Sequence, residues 1–377
     1  MSCTHCGLCL ESCPTYTLWG TEPESPRGRI VLIEDALAPV GTATAEMAAH
    51  IDSCLGCMAC MSVCPEDVPY PDLLAAARNM IERDVPRPSA ERVRRRAALA
   101  ALPRSGRLNR LGGRPIPHYT PAQGGSRGRV GLLLGCTQRA EHGAIHDAAL
   151  AVLAAEGYEV IAPRLPECCG AIELHSGARA HGLRRAQATI AAFAAVGGVD
   201  RIVTSAGGCG VALKDYGRLL GTPEARAFSA LALDIHELLA RAPLRSRIGP
   251  LAVRIAYHDS CQLRHGQGLA DLPRELLRRI PGVELVAVPP TAGACCGAPG
   301  IYRFAEPEAS AQLARRQAEA IVTTGAAMVV TGDHACIGQL RRALRALGHP
   351  LPVKHPVEVL AEAVRAGRRS SGAAAGN

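Results

Sequence analysis

The sequence predicts two unlike parts, an all-α domain at the N-terminus and a duplicated α/β domain after it. Three observations predict this. Eight cysteines fall in two matching runs within the first 64 residues, with a helical pattern between the runs. From Arg129 onward, short aliphatic or β-branched runs alternate with Ala/Leu/Arg-rich amphipathic stretches, the pattern of mostly parallel strands joined by helices. That second part also repeats itself, cysteine for cysteine. The expected divisions are an α-helical domain over 1–85, a Pro/Gly/Arg-rich linker over 86–128, and two α/β repeats over 129–250 and 251–377.

The two runs are Cys3-x2-Cys6-x2-Cys9-x3-Cys13-Pro14 and Cys54-x2-Cys57-x2-Cys60-x3-Cys64-Pro65. This is the bacterial ferredoxin spacing for two 4Fe–4S clusters. Three thiolates spaced two residues apart wrap one face of a cube, and the fourth points onward to the other cluster. The expected ligands are therefore Cys3, Cys6, Cys9 and Cys64 for one cluster, and Cys13, Cys54, Cys57 and Cys60 for the second. Pro14 and Pro65 fix φ and turn the chain away from the metal. Zinc favours two C-x2-C pairs closing one tetrahedron, and disulfides belong to small secreted scaffolds, so neither suits this pattern. The first domain is thus an all-α, ferredoxin-like, two-cluster domain.

Between the runs, Ser25-Pro26 opens a helical stretch over Arg29–Leu37 that stops before Pro39. A second helix runs from about Thr44 to Asp52. Asp72 is placed to cap a third, Leu73 to about Arg83, ended by Pro86. Pro26-Arg-Gly-Arg29 is compact and basic; it reads equally as a contact for a cluster or partner and as a turn with a helix start. The linker carries Pro86, Pro88, Pro103, Pro115, Pro117 and Pro121 around a short basic helix. Beyond it, strands are expected at Val130–Leu134, Glu159–Ala162, Arg201–Ser205, Arg254–Tyr257, Glu284–Val288 and Met328–Thr331. Helices are expected over Ala144–Glu156, Ala178–Val196, Ala309–Thr324 and Ile337–Leu347.

The repeat is read from its cysteines. Cys136 follows a strand, Cys168-Cys169-Gly170 comes later, and Cys209 stands forty residues after Cys169. Cys261, Cys295-Cys296-Gly297 and Cys336 repeat the plan with the same interval of forty, and Arg139 and Arg264 each sit three past the leading cysteine. Each unit would bring four thiols to the carboxyl ends of its strands, where open α/β sheets build their sites. Glycine after a vicinal pair gives the backbone room. Matched spacing counts against inert core cysteines, and leaves two uses open: further iron–sulfur clusters, or thiol–disulfide chemistry. His142, His175, His181, His258 and His265 lie near these cysteines; His258 and His334 are the two to watch for a role at the site.

Composition narrows the function. At 48% hydrophobic over 377 residues the chain is globular with room for a sizeable core, and 3% aromatic leaves few platforms for stacking nucleic-acid bases. No nucleic-acid partner is expected. Much of the net charge of +8 lies between Arg83 and Arg114, including Arg92, Arg94, Arg95 and Arg96. That reads first as a solvated helix face, and second as a docking surface for an acidic partner or anionic membrane. No apolar run reaches the ~18 residues of a spanning helix, and a cysteine at residue three leaves no room for a secretory leader. Sixteen cysteines kept for metals fit a reducing, cytoplasmic compartment, with peripheral contact at the inner face of the membrane as the one membrane role. No G-x-G-x-x-G lies between a strand and a helix, so a flavin or nicotinamide belongs on another polypeptide. No catalytic acid, base or nucleophile is assigned.

With both runs and both Cys-Cys-Gly sets in view, the chain resembles the iron–sulfur subunit of bacterial glycolate oxidase. The resemblance runs from Cys3 to about Ala363. It is carried by Cys3-Thr-His-Cys-Gly-Leu-Cys9, Cys13-Pro-Thr-Tyr16, Pro26-Arg-Gly-Arg29, the Cys54 run, Glu167-Cys-Cys-Gly-Ala171, Ser205-Ala-Gly-Gly-Cys-Gly210, Lys214-Asp-Tyr-Gly217 and Cys295-Cys-Gly297. The resemblance implies an FAD-binding partner subunit that oxidises glycolate or D-lactate to the 2-oxo acid, and electrons carried onward to the quinone pool or another acceptor. The small subunit of anaerobic glycerol-3-phosphate dehydrogenase and the CCG subunits of heterodisulfide reductase share the plan, which makes a thiol/disulfide reductase the alternative. Heterodisulfide reductase subunits close each set with C-x2-C. Here Ala206 and Asp333 stand at those positions, one thiolate fewer per repeat, which counts against a five-ligand cluster. Family members often carry more residues ahead of the first cysteine than the two found here.

Overall fold

A computed structural model of the chain describes residues 3–101, 116–163, 168–291 and 295–374. Pro103, Gly112, Gly113, Arg114 and Pro115 of the linker, and Glu167 of the first Cys-Cys-Gly motif, lie outside the described residues.

The N-terminal part is helical. Ser25 accepts from the Gly28 amide and starts the helix Pro26–Leu37, and Thr44 accepts from Met47 and starts Ala45–Asp52. The third helix begins earlier than its capping signal suggested, running Tyr70–Asp84. Pro71 sits in its first turn, where a missing amide costs nothing, so Asp72 lies inside the helix rather than capping it. Ile33, Met47, Ile51, Ala77 and Ile81 close a small core between these helices, with Cys54 and Cys60 on its edge. The basic helix of the linker spans Ser89–Ala101.

The second part holds two sheets. In the first, β1 (Tyr119–Thr120), β2 (Gly128–Leu133), β3 (Tyr158–Ile161), β4 (Arg201–Thr204) and β5 (Ala232–Asp234) stand in the order β1-β3-β2-β4-β5. In the second, β6 (Val253–His258), β7 (Val283–Ala287), β8 (Met328–Thr331) and β9 (Val353–Lys354) stand in the order β7-β6-β8-β9. Apart from the antiparallel β1–β3 pair, every pairing is parallel. The second sheet therefore repeats β3-β2-β4-β5 of the first, strand for strand. One hydrophobic core runs through both repeats and includes Leu132, Val203, Ile255, Val330, Leu340 and Leu360.

This topology decides where the cysteines meet. The chain goes from β2 outward to β3, then returns across the sheet to β4, so its direction of winding reverses between β2 and β4, and likewise between β6 and β8. Open α/β sheets leave a crevice at that reversal, beyond the carboxyl ends of the two central strands. Cys136 and Cys209 stand three and five residues past the ends of β2 and β4; Cys261 and Cys336 stand three and five past β6 and β8.

Candidate iron–sulfur centres

The two N-terminal runs wind alike, although their residues differ. Positive φ occurs at His5 (54°) and Gly7 (83°) in the first, and at the equivalent Gly56 (61°) and Met58 (62°) in the second. Each loop therefore holds one glycine and one residue forced into the left-handed region, in swapped order. The closing cysteines Cys13 and Cys64 share the same backbone angles, φ −85° and ψ 118°. Conformation, not residue identity, has been kept, as expected where several sulfurs must converge on one object.

Cys3, Cys6 and Cys9 of the first run and Cys60 and Cys64 of the second line one cavity of about 40 Å³ together with Pro26, Arg27, Ile30 and Tyr70. The second run therefore brings sulfurs to a cavity that the first run builds. Arg27 fastens this loop by donating to the His5 carbonyl at 3.1 Å, while Glu22 holds its Nε at 2.6 Å. Cys6 is exposed and Cys3, Cys9 and Cys64 are partly buried.

Cys13, Cys54, Cys57 and Cys60 are all buried. Cys13 is tied to the second run by Arg29, which is fully buried. The Arg29 guanidinium donates to the His50 carbonyl (2.6 Å), Glu24 Oε2 (2.7 Å), Ser53 Oγ (2.8 Å) and Thr15 Oγ1 (3.0 Å), and Nη1 lies 3.9 Å from Cys13 Sγ. Cys54 accepts from the Gly56 amide at 3.4 Å and the Tyr70 hydroxyl at 3.6 Å. Burial works to raise the Cys54 thiol, but Arg29, then Arg78 and these hydrogen bonds outweigh it and hold Cys54 below the usual thiol range. Burial, reinforced by Cys54, Cys13 and Cys9, pushes Cys60 up, and burial with Cys261 and Cys60 pushes Cys57 up. A metal centre binding here displaces protons and is itself favoured by the buried cation. The basic Pro26–Arg29 segment is thus both a helix start and a contact to the sulfurs, two uses the sequence left equal.

In the first repeat the four thiols come together as two pairs. Cys169 and Cys209 lie 3.2 Å apart, and Cys136 pairs with Cys168. In the second repeat Cys296 and Cys336 lie 2.9 Å apart, and Cys261 pairs with Cys295. Gly170 and Gly297 both sit at φ 76°. An added Cβ would meet the Gly182 carbonyl at 2.6 Å in one repeat and the Ser310 carbonyl at 2.7 Å in the other, so only glycine suits either place.

The two repeats differ in surroundings. Cys295, Cys296 and Cys336 are buried, and Cys261 and Cys295 pack with Cys57 of the N-terminal part in one apolar cluster. The thiols of the first repeat instead line a cavity of about 160 Å³ shared with Arg303, Asp333 and His334 of the second. The Cys168 thiol donates to Cys136, and with help from Thr137 and His334 it outweighs burial and lowers Cys136 to about 6. Cys136 is then thiolate at neutral pH in metal-free protein. Iodoacetamide should alkylate it ahead of the buried Cys296 and Cys336, at a rate that falls as pH drops through about 6. Mass mapping of the labelled peptides checks this, and a pH-independent rate or equal labelling would contradict it.

Asp333, where related chains place a further cysteine, is otherwise engaged. Its Oδ1 caps the helix His334–Ala346 at Ala335, and its Oδ2 accepts from Gly208 across the repeat boundary at 3.2 Å. It therefore ties the two cysteine sites together without a sulfur. His334, one of the two histidines singled out, lines the open cavity. His258 is buried, with Nδ1 paired to Thr331 Oγ1 at 3.0 Å, linking β6 to β8. His142 stacks edge-on to His334 at 6.1 Å, His265 pairs with Ser62, the His175 carbonyl accepts from Arg78, and His181 is exposed.

Among the described residues, no three Cys, His, Asp or Glu side chains close on one point as a single ion requires. The all-sulfur donor sets, eight thiols in two matched runs, fit iron–sulfur clusters rather than a zinc tetrahedron. Among the described residues no helix is long and apolar enough to cross a membrane.

Comparison with known proteins agrees with this geometry. Residues 1–68 match the 4Fe-4S dicluster domain model, and residues 130–214 and 255–341 each match the cysteine-rich CCG domain. The glycolate oxidase iron-sulfur subunit of Escherichia coli (strain K12) is 33% identical, covering 96% of this chain and 94% of that protein. The probable glycolate oxidase iron-sulfur subunit of Bacillus subtilis (strain 168) is 31% identical over 98% of this chain and 95% of its own. A crystal structure of a hypothetical protein from Helicobacter pylori shares the fold alone, with a TM-score of 0.53 at 10% identity over 93% of this chain and 65% of that one. Two cysteine runs that interlock, two Cys-Cys-Gly repeats and end-to-end similarity place the chain in the family of bacterial glycolate oxidase iron–sulfur subunits, an iron–sulfur electron-transfer component of an oxidoreductase.

Proposed function

We propose that this chain carries electrons from an FAD-binding partner subunit, which oxidises glycolate or D-lactate, onward to a quinone. The observation that supports this best is that Cys64 of the second run lines the cavity built by Cys3, Cys6 and Cys9 of the first. Cys3, Cys6, Cys9 and Cys64 would hold one 4Fe–4S cluster, and Cys13, Cys54, Cys57 and Cys60 the second. Such clusters supply one-electron transfer at potentials set by hydrogen bonds, charge and exposure. The chain's own residues supply those settings: Arg29, Tyr70 and the Gly56 amide at the buried set, solvent at Cys6.

The exposed set offers the entry side. Leu8, between Cys6 and Cys9, is 61% exposed, and Trp19, Val31 and Leu37 are also exposed on the N-terminal part. Uncovered apolar side chains beside a redox site suit a partner protein. The first-repeat cavity, with its low Cys136, favours a second reading in which that site does thiol chemistry. In that reading Cys169→Ser abolishes turnover of a disulfide substrate.

Co-purification decides the main reading. The chain expressed with its flavoprotein partner should co-purify with it, and glycolate should then reduce the chain's clusters, followed by electron paramagnetic resonance. A lone chain that reduces quinone with glycolate would overturn the proposal.

A further inference from the structure

Where the helix Tyr70–Asp84 meets the helices Ala171–His175 and Gly207–Leu220 of the first repeat and the start of Tyr302–Ala305 in the second, a cleft of about 530 Å³ opens. That is the size of small-molecule sites. Its walls include Cys54, Leu55, Leu74, Ala212, Ile301 and Tyr302, all buried. Its rim is polar and wet: His175 and Arg179 are exposed, and Asp72 pairs with Arg218 across the mouth at 2.5 Å. Interdomain hydrogen bonds hold the walls in place, Arg78 to the His175 carbonyl at 2.8 Å and Gln262 to the Gly56 carbonyl at 3.2 Å.

Two features say what the cleft takes. The Tyr302 side chain is 5% exposed, and its buried hydroxyl has no hydrogen-bond partner among the described residues. A buried phenol without a partner is destabilising, so the Tyr302 hydroxyl is a donor fitted to a ligand's acceptor oxygen. The arginines on the walls are already engaged. Arg78 donates to the carbonyls of Ile51, Cys54 and His175, and Arg95 pairs with Asp52 and Glu82. Arg218 pairs with Asp72 and Asp215, and of the lining arginines only Arg179, out on the exposed rim, has no partner among the described residues, so the buried walls suit an uncharged molecule with an apolar body and a carbonyl oxygen.

We infer that this cleft binds the quinone, with a ring carbonyl accepting from the Tyr302 hydroxyl and the ring packed toward Cys54. The inference rests on the electron-transfer reading above and adds a place and a donor to it. The quinone takes up two electrons and two protons and leaves as hydroquinone; oxidation of the 2-hydroxy acid releases the same number of each. The protons enter from water at the open rim.

The test uses the full chain, prepared anaerobically with its clusters, and tetramethylbenzoquinone, whose filled ring resists addition of thiols. Equilibrium dialysis should show binding to the wild-type chain, about tenfold weaker binding to Tyr302→Phe and none to Ala75→Trp, which fills the cleft. Iron content should be the same in all three. Unchanged binding in Ala75→Trp would overturn the inference. So would intact binding in Tyr302→Phe with a shifted cluster potential, since the hydroxyl would then serve the metal centre. Reoxidation of the reduced chain separates the two levels. If the quinone does not reoxidise wild type at all, the electron-transfer reading fails; if it reoxidises all three equally fast, that reading stands and the cleft is the wrong site.

Discussion

Cys64→Ala should remove the same cluster as Cys6→Ala, although the two residues belong to different runs. The reason is geometric. Cys64 shares its cavity with Cys3, Cys6 and Cys9, with Cys60 at the wall between the two sets, while Arg29 lies against Cys13 and favours the Cys54 thiolate. Each of these variants should lose about half of the N-terminal iron and the same paramagnetic signal. Cys13→Ala and Cys57→Ala should form the other matched pair. Redox titrations followed by electron paramagnetic resonance check the pairing. Signals that pair within runs, Cys6 with Cys13 and Cys57 with Cys64, would refute the exchange.

Arg29→Gln should act on stability and potential together. The guanidinium is fully buried and its Nη2 lies 2.7 Å from Glu24, so removing the charge leaves the Glu24 carboxylate with only His50 and Ser53 to hold it. Breaking a buried ion pair on one side costs about 3–5 kcal/mol, a large part of a domain's stability. The same charge lies against Cys13 and lowers Cys54. A cation beside cluster sulfurs favours the reduced state, so its loss should lower the potential of the cluster held there and leave the other unmoved. Arg29→Lys keeps the charge and should recover most of the potential, but less of the stability, since an ammonium cannot span Glu24, Ser53, Thr15 and the His50 carbonyl at once. Urea unfolding and potentiometric titration separate the two effects. An unmoved potential in Arg29→Gln would mean the arginine is structural alone.

What the sequence made legible is uneven, for physical reasons. Ligand spacing is local, so the two N-terminal runs and their eight sulfurs could be read from the sequence alone. Strands with a continuous apolar stretch were also legible; β8 occupies Met328–Thr331, the range expected, and β2, β3, β4, β6 and β7 lie within two residues of theirs. β1, β5 and β9 were missed because two or three residues carry no periodicity. The π-helical turn Gln262–Gly266 after Cys261 left no signal either. The duplicated cysteines announced two sites, but not that one packs on Cys57 while the other opens to a cavity. That asymmetry comes from how the N-terminal part docks, through contacts such as Arg78 to His175, which link residues about a hundred positions apart in the chain. Arg29 was legible as part of a basic segment; its burial was not, since a solvated arginine has the same local sequence. Asp333 read as a missing ligand, whereas its carboxylate is a helix cap and a tie to Gly208.

The central claim is that the N-terminal thiols hold a pair of four-iron clusters. Iron and acid-labile sulfide, counted per chain on full-length protein prepared without oxygen, test it most directly. The account predicts a brown protein with about eight of each, and appreciably more if the Cys-Cys-Gly sites are also loaded. Colourless, correctly folded protein with no iron would contradict it.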